Sequence, residues 1–263
     1  MKKMVKAVIS LVLALSLMAC STSTDTQDNS LQDVLDKGEI VIGFTDYPPM
    51  GFMVDGEATG FDLDIAKEVA ERLGVNPVFQ YIDWDAKVLE LNSKAIDVIW
   101  NGLTITEERK NEILFSKPYF DNRIVILTLS GSSVVSIDDL SGLKVGVELQ
   151  SSGQSSLENN AIYASLDEMV KFTSISEALM ALNANTIDAI VADEIFARYA
   201  VSKDSENYKV AEDVFGSENY GIGFRLSDVA LRDRIDEIID EIASEGVGAE
   251  ISTKWFGEDL LKR

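Results

Sequence analysis

From Leu31 onward the apolar positions follow two alternating rhythms. Short runs of strand length, such as "EIVIGF" (39–44), give way to stretches with helical spacing. In "FDLDIAKEVAERLG" (61–74), Ile65, Ala66, Val69, Ala70 and Leu73 share one helical face, and Gly74 is the stop signal. "PVFQYI" (77–82) reads as a strand, "DAKVLELNS" (85–93) as a short helix and "AIDVIWNG" (95–102) as another strand. Strands alternating with helices predict an α/β protein with largely parallel sheets.

The pattern also echoes itself. "LNSKAIDVIWN" (91–101) resembles "LNANTIDAIVAD" (182–193), 91 residues later, and each reads as helix end, turn and buried strand. A fainter echo pairs "KGEIVIGFTD" (37–46) with "SGLKVGVELQ" (141–150). Two echoes at similar offsets predict two similarly built lobes. The last segment breaks the tandem. "YGIGFRLSDVALRDRIDEIIDEIASEG" (220–246) gives a strand, a helix start at Ser227 and Asp228, and a long helix. Its inward face holds Leu231, Ile235, Ile238, Ile239 and Ile242. "EISTKWFGEDL" (250–260) adds a further helical stretch with an aromatic anchor. This end is expected to return to the first lobe, giving lobe 1 as residues 31–121 and 220–263 and lobe 2 as 122–219. The chain then crosses twice, near 120–122 and 219–220, and two crossings make a hinge.

Ligands of parallel α/β sheets bind beyond the carboxyl ends of the strands. That rule selects "TDYPPMGF" (45–52), "NGLTITEER" (101–109), "ELQSSGQSS" (148–156) and "ADE" (192–194), two from each lobe, so the site falls in the cleft. Tyr47, Phe52 and Trp84 offer apolar faces there, while Asn101, Thr104, Ser151 and Ser152 offer hydrogen bonds. Arg109 supplies a cationic fork and Asp193 an anion, a pairing suited to a small zwitterion. Each also has a plainer reading. Thr104 or Thr106 can cap a helix whose first turn holds Glu107 and Glu108, with Arg109 pairing Glu112. Asp193 can start the helix after its strand, and the aromatics can be core.

Composition narrows the chemistry. The 263 residues carry 45 acidic and 23 basic side chains, a net charge of −22, which argues against a nucleic-acid partner. There is no histidine and one cysteine, so Ser-His-Asp and Cys-His catalysis, zinc sites built on Cys or His, and internal disulfides are excluded. No metal or cofactor is expected. The cysteine ends "MKKMVKAVISLVLALSLMAC": a basic start, an apolar run from Ala7 to Leu17 too short to span a bilayer, then Ala19 and Cys20. This looks like a bacterial lipoprotein signal (residues 1–19) cut before a lipidated Cys20, with Met18 a less usual neighbour. An ordinary signal peptide with an incidental cysteine is the alternative. Residues 20–30 are polar and aperiodic, a tether between anchor and domain. The folded part is therefore expected outside the cytoplasmic membrane, tied to it by lipid.

With these residues in hand, the chain resembles the amino-acid-binding family of extracytoplasmic solute-binding proteins that serve ABC transporters, over about 31–260. "GFDLDIAKEVAERL" (60–73), "IDVIWNGLTITEERK" (96–110) and "KWFGEDL" (254–260) carry the likeness in order. The resemblance implies a two-lobed, periplasmic-binding-protein-like α/β fold of the Venus flytrap kind, with two mixed or parallel sheets joined by a two-strand hinge. It implies a monomeric, non-enzymatic receptor for an L-amino acid, polar or basic, that partners an ABC permease and its ATPase. By the same resemblance, Tyr47 and Trp84 enclose the ligand side chain, with Phe52 a further wall. Asn101, Gly102 and Thr104 meet both α-groups, Arg109 and the hydroxyls of Ser151 and Ser152 hold the carboxylate, and Asp193 holds the ammonium. One residue departs: Gln150 stands where the family usually has Gly, and its side chain would narrow the pocket or reshape the loop. Glu148 either faces the ligand, favouring a basic one, or points outward. A dehydratase of prephenate or arogenate on the same fold, or a ligand-sensing module, is the alternative function.

Overall fold

The computed structural model describes residues 28–263; the leader, Cys20 and most of the 20–30 tether lie outside the described residues. The chain opens with α1 (Ser30–Lys37), stopped by Gly38 in the left-handed conformation, and then β1 (Glu39–Phe44). A hairpin of β2 (Phe52–Val54) and β3 (Glu57–Thr59) leads into α2 (Phe61–Leu73). Helix α2 buries Phe61, Leu63, Ile65, Ala66, Val69 and Ala70 on one face, and Gly74 closes it with φ 74°. Each large side chain so buried contributes about 1.5–3 kcal/mol.

After β4 (Asn76–Tyr81), a 3₁₀ turn at Trp84–Ala86 and α3 (Lys87–Asn92), β5 (Val98–Ile99) enters the first sheet. Next come β6 (Leu114–Phe115) and the long β7 (Phe120–Leu129), which leaves for the second lobe. There β8 (Lys144–Glu148), α4 (Ser152–Glu158), β9 (Glu168–Phe172), α5 (Ile175–Asn183), β10 (Ala189–Asp193) and α6 (Glu194–Lys203) follow one another. β11 (Tyr208–Tyr220) brings the chain back to β12 (Gly223–Phe224), α7 (Val229–Ser244) and α8 (Val247–Phe256).

The two sheets repeat one design. The first has the order β4-β1-β5-β12-β6 and the second β11-β7-β10-β8-β9. β1 is parallel to its neighbours β4 and β5, and β8 is parallel to its neighbours β9 and β10. The echo in the sequence has a physical counterpart at the same spacing. Asp97 accepts a hydrogen bond from the Val41 amide (2.9 Å), and Asp188 accepts one from the Lys144 amide (2.8 Å). The turns before them put Lys94 and Asn185 in the left-handed region, at φ 63° and 54°. Both pairs stand 91 residues apart, so the repeated motif is a turn whose aspartate pins the neighbouring strand.

The sheets are less parallel than the alternation predicts. β12 runs antiparallel to β5 and β6, and β7 antiparallel to β10 and β11. These are the strands adjoining the two crossings, which enter each sheet against its direction. β7 and β11 pair from Tyr220 against Phe120 up to Tyr208 against Leu129, so the two crossings are one hydrogen-bonded ribbon. Helix α7 buries Leu231, Ile235, Ile238, Ile239 and Ile242 against the first lobe, and Phe256 packs 5.0 Å from Phe61 and 5.5 Å from Phe120. No helix among the described residues is long and apolar enough to cross a membrane.

Candidate functional site

A small cavity lies between the lobes, at the carboxyl ends of the strands. From the first lobe it is lined by Thr45 and Tyr47 after β1, Trp84 after β4, and Asn101, Gly102, Thr104 and Arg109 after β5. From the second come Glu148, Ser151, Ser152, Ile175 and the β10 residues Val191, Ala192 and Asp193. Nine of the ten residues singled out from the sequence thus meet in one place. Phe52 does not line the cavity. It starts β2, outside the strand-end shell, and packs 6.0 Å from Tyr199 of α6 and 6.0 Å from Trp255 of α8. Its contact joins the lobes at the rim instead.

The first-lobe wall is held by backbone geometry. Gly102 has φ 64°, and a Cβ there would come within 2.7 Å of the Tyr47 ring, so only glycine fits. Its amide donates to Asp62 Oδ2 at 2.7 Å, and the Tyr119 hydroxyl donates to the same oxygen at 2.8 Å. Burial pushes the Asp62 carboxyl up to about 7. The acid in the "GFDLD" motif is therefore a support for the binding loop, a role its helical position does not disclose. Asn101 is similarly committed. Its Oδ1 accepts from the Thr45 amide (3.0 Å) and its Nδ2 donates to the Gly51 carbonyl (3.3 Å), stitching the loop after β1 to that after β5.

Arg109 sits on a 3₁₀ turn of three residues, Arg109–Asn111, and not at the start of an α-helix. Thr106 does cap it, accepting the Arg109 amide at 3.1 Å, and Lys110 pairs with Glu107. The guanidinium turns away from that turn. Nη1 donates to the Thr104 carbonyl at 2.9 Å, and Nη2 crosses to the Gln150 carbonyl of the second lobe at 3.0 Å. Both bonds go to backbone oxygens, and among the described residues no carboxylate forms an ion pair with it; Glu218 and Asp193 act on it only through their charge. Gln150 keeps the left-handed conformation (φ 57°) that a glycine would adopt, its amide anchored on Gln154 Oε1 at 2.8 Å.

The two serines divide their work. Ser151 Oγ caps α4 by accepting the Gln154 amide at 3.1 Å, whereas Ser152 Oγ faces the cleft. Ser152 lies 3.2 Å from Thr104 Oγ1, and both hydroxyls donate to Glu218 Oε2, at 3.0 and 2.9 Å. Asp193, buried at the end of β10, accepts from the Tyr47 hydroxyl (2.6 Å) and the Tyr220 hydroxyl (2.5 Å) on one oxygen. Burial raises the Asp193 carboxyl above its ordinary value, against the pull of the two phenols and Arg109. Tyr47 also stacks on Phe196 of α6, with ring centres 6.1 Å apart and planes 16° apart. The lobes are therefore drawn together, with hydroxyls, phenols and a guanidinium already satisfied by protein groups.

Sequence reasoning missed Glu218, Tyr220 and Asp62. Glu218 and Tyr220 lie on the crossing strand, where the strand-end rule does not look. Burial and the neighbouring Asp193 push the Glu218 carboxyl up to about 7. Among the described residues no group of three His, Cys, Asp or Glu is placed to hold a metal ion.

Residues 40–258 match the model of the bacterial extracellular solute-binding proteins, family 3. The chain is 31% identical to the L-cystine-binding protein TcyJ of Escherichia coli (strain K12) over 260 residues, 95% of each protein. It is 32% identical to the ABC transporter glutamine-binding protein GlnH of Bacillus subtilis (strain 168) over 267 residues, 96% of each. Among solved structures it is similar to an ABC uptake transporter substrate-binding protein from Streptococcus pneumoniae with bound histidine. That likeness has a TM-score of 0.84 and 33% identity, and covers 90% of this chain and all of that one. On the match across most of its length, and on a two-lobed fold shared with that structure, the chain belongs to the bacterial extracellular solute-binding proteins, family 3.

Proposed function

We propose that the protein is the receptor of an ABC importer, binding one L-amino acid between its lobes and presenting it to a permease with its ATPase. The observation that carries this is the split of charge across the cavity: Arg109 on the first lobe, Asp193 on the second, each with hydroxyls beside it. A planar guanidinium fits an α-carboxylate bidentately, and a buried carboxylate accepts from an α-ammonium. An α-amino acid offers both, with a variable side chain left over. The family is one of solute-binding proteins, and the ligand is held and released unchanged. The relatives named for cystine, glutamine and histidine support the class. A thermal-shift screen of the proteinogenic amino acids and cystine is expected to give one or a few strong stabilisers. A flat response to all of them would overturn the reading.

The receptor works as a monomer, with residues 31–121 and 220–263 as one lobe, 122–219 as the other, and the β7–β11 ribbon as hinge. Only the closed form completes both halves of the site, so ligand shifts the population towards closure. Small-angle scattering should show a smaller radius of gyration with ligand than without; equal radii would argue against a moving hinge. The lipid on Cys20 tethers the receptor to the membrane outside the cytoplasm. Cys20→Ser is expected to release the protein from the membrane fraction or stall its processing, whereas unchanged fractionation and an unacylated wild-type mass would contradict lipidation.

A further inference from the structure

The cavity wall does not balance its own charge. It carries one cation, Arg109, and two acids, Asp193 and Glu148. A zwitterionic α-amino and α-carboxyl pair answers Arg109 and Asp193 and adds no net charge, so Glu148 is left over. Glu148 ends β8, is 6% exposed and lines the cavity. Among the described residues its carboxylate accepts one hydrogen bond, at Oε1 from the Ile175 amide at 3.2 Å, and no lysine or arginine forms an ion pair with it. Lys87 is the nearest candidate, but its Nζ is committed to the Trp84 carbonyl (2.9 Å) and lies over the Trp84 ring, 4.8 Å from its centre. Lys87 lines the wider groove outside the cavity. Lys87 and Arg109 therefore act on Glu148 through their charge, without pairing with it.

A buried carboxylate with an unpaired oxygen, beside a second carboxylate, is unfavourable unless a cation reaches it. The lining also offers Ile175 and the rings of Trp84 and Tyr47. Aromatic faces attract a cation as well as a hydrocarbon stem. We propose that Glu148 is the side-chain selector of the site and that the ligand is an α-amino acid with a positively charged side chain. Such a ligand, of net charge +1, balances Glu148 once that carboxyl has given up its proton, and its stem lies against the aromatic faces. Burial, with Asp193 next, pushes the Glu148 carboxyl up to about 8 in the empty site, which is the same imbalance seen from the proton's side.

The inference rests on the amino-acid reading, and the test separates the two. Calorimetry on the full folded protein compares arginine with citrulline, its near-isosteric neutral counterpart, and lysine with norleucine; ornithine, histidine, glutamine and cystine complete the set. A cationic amino acid is expected to bind about 30-fold or more tightly than its neutral counterpart, the scale for removing one member of a desolvated charge pair. Glu148→Gln should reduce that ratio to a few-fold, mainly by weakening the cationic ligand. If Glu148→Gln does not fold, the wild-type ratios decide alone. Tightest binding of glutamine, cystine or another uncharged side chain, or a ratio unchanged in Glu148→Gln, would overturn the selector while leaving the amino-acid reading intact. Absence of binding by every amino acid would overturn both.

Discussion

Arg109→Ala is expected to weaken amino-acid binding by about 30-fold to several thousand-fold, corresponding to about 2–5 kcal/mol. The guanidinium reaches the cavity from a three-residue turn and spans the lobes, touching the Thr104 carbonyl on one side and Gln150 on the other. Neither oxygen neutralises it, so an incoming α-carboxylate finds an unpaired cation beside the Thr104 and Ser152 hydroxyls. Truncation leaves the carboxylate desolvated in the closed cleft with only those hydroxyls. Arg109→Lys should recover little, since a point charge cannot reproduce the planar fork. Asp193→Asn should weaken binding from the ammonium end. Arg234→Ala is the control: its partners Glu237 and Glu241 lie on the exposed side of α7, and exposed pairs contribute little. Calorimetry with the amino acid found in the screen decides the matter. Binding by Arg109→Ala within about threefold of wild type would mean that the arginine serves the loop alone.

Much of this geometry is legible in the sequence because the lobes are built from local rules. The helical face of α2, its glycine stop and the inward isoleucines of α7 follow from spacing alone, since each face must be buried. The strand-end rule found four of the cavity's segments for a related reason: a βαβ unit has its loops at that end whatever its sequence. What it does not reach is pairing across distance. Whether Arg109 belonged to its own turn or to the cleft turns on the position of Gln150, 41 residues away. Glu218 looks in sequence like any exposed acid on a strand of alternating polarity, yet hydroxyls from both lobes converge on it. Phe52 shares the strand-end segment 45–52 with Tyr47, but the hairpin carries it away to Tyr199 and Trp255. The antiparallel strands next to the crossings do not follow from the alternation for the same reason, as direction depends on where the chain returns.

The unliganded protein is expected to lose stability as pH rises from about 5 to 8. Asp62, Glu148 and Glu218 have carboxyls lifted to about 7, 8 and 7, chiefly by burial. In the unfolded chain the same groups lose their protons near their ordinary values of 3.8 and 4.5. Between those limits the folded state binds more protons than the unfolded one, so the free energy of unfolding falls with increasing pH. Below about pH 4 both states are protonated and the effect vanishes; Lys87, whose ammonium burial lowers to about 7, acts in the opposite direction above that pH, so the fall flattens as pH nears 8. Acids of the opposite kind do not interfere in this window. Glu194, held below its ordinary value by the Arg123 guanidinium, loses its contribution only as pH falls through that lower range.

Asp62 isolates one share of the effect. It is fully buried, and its Oδ1 has no hydrogen-bond partner. A tenfold change in proton affinity is about 1.4 kcal/mol, so its lifted carboxyl alone removes roughly 3–5 kcal/mol by pH 8. Asp62→Asn keeps an acceptor for the Gly102 amide and the Tyr119 hydroxyl but cannot ionise. Its unfolding midpoint should therefore gain on wild type at pH 8 and change little at pH 5. Asp62→Ala should lose stability at both, because two buried donors are left without an acceptor, at about 1–3 kcal/mol each. Denaturant titrations at pH 5, 6.5 and 8 read all three proteins. A wild-type midpoint that stays level or climbs towards pH 8, with Asp62→Asn running parallel to it, would show that Asp62 is ionised without cost and that its support of Gly102 comes from a charged carboxylate.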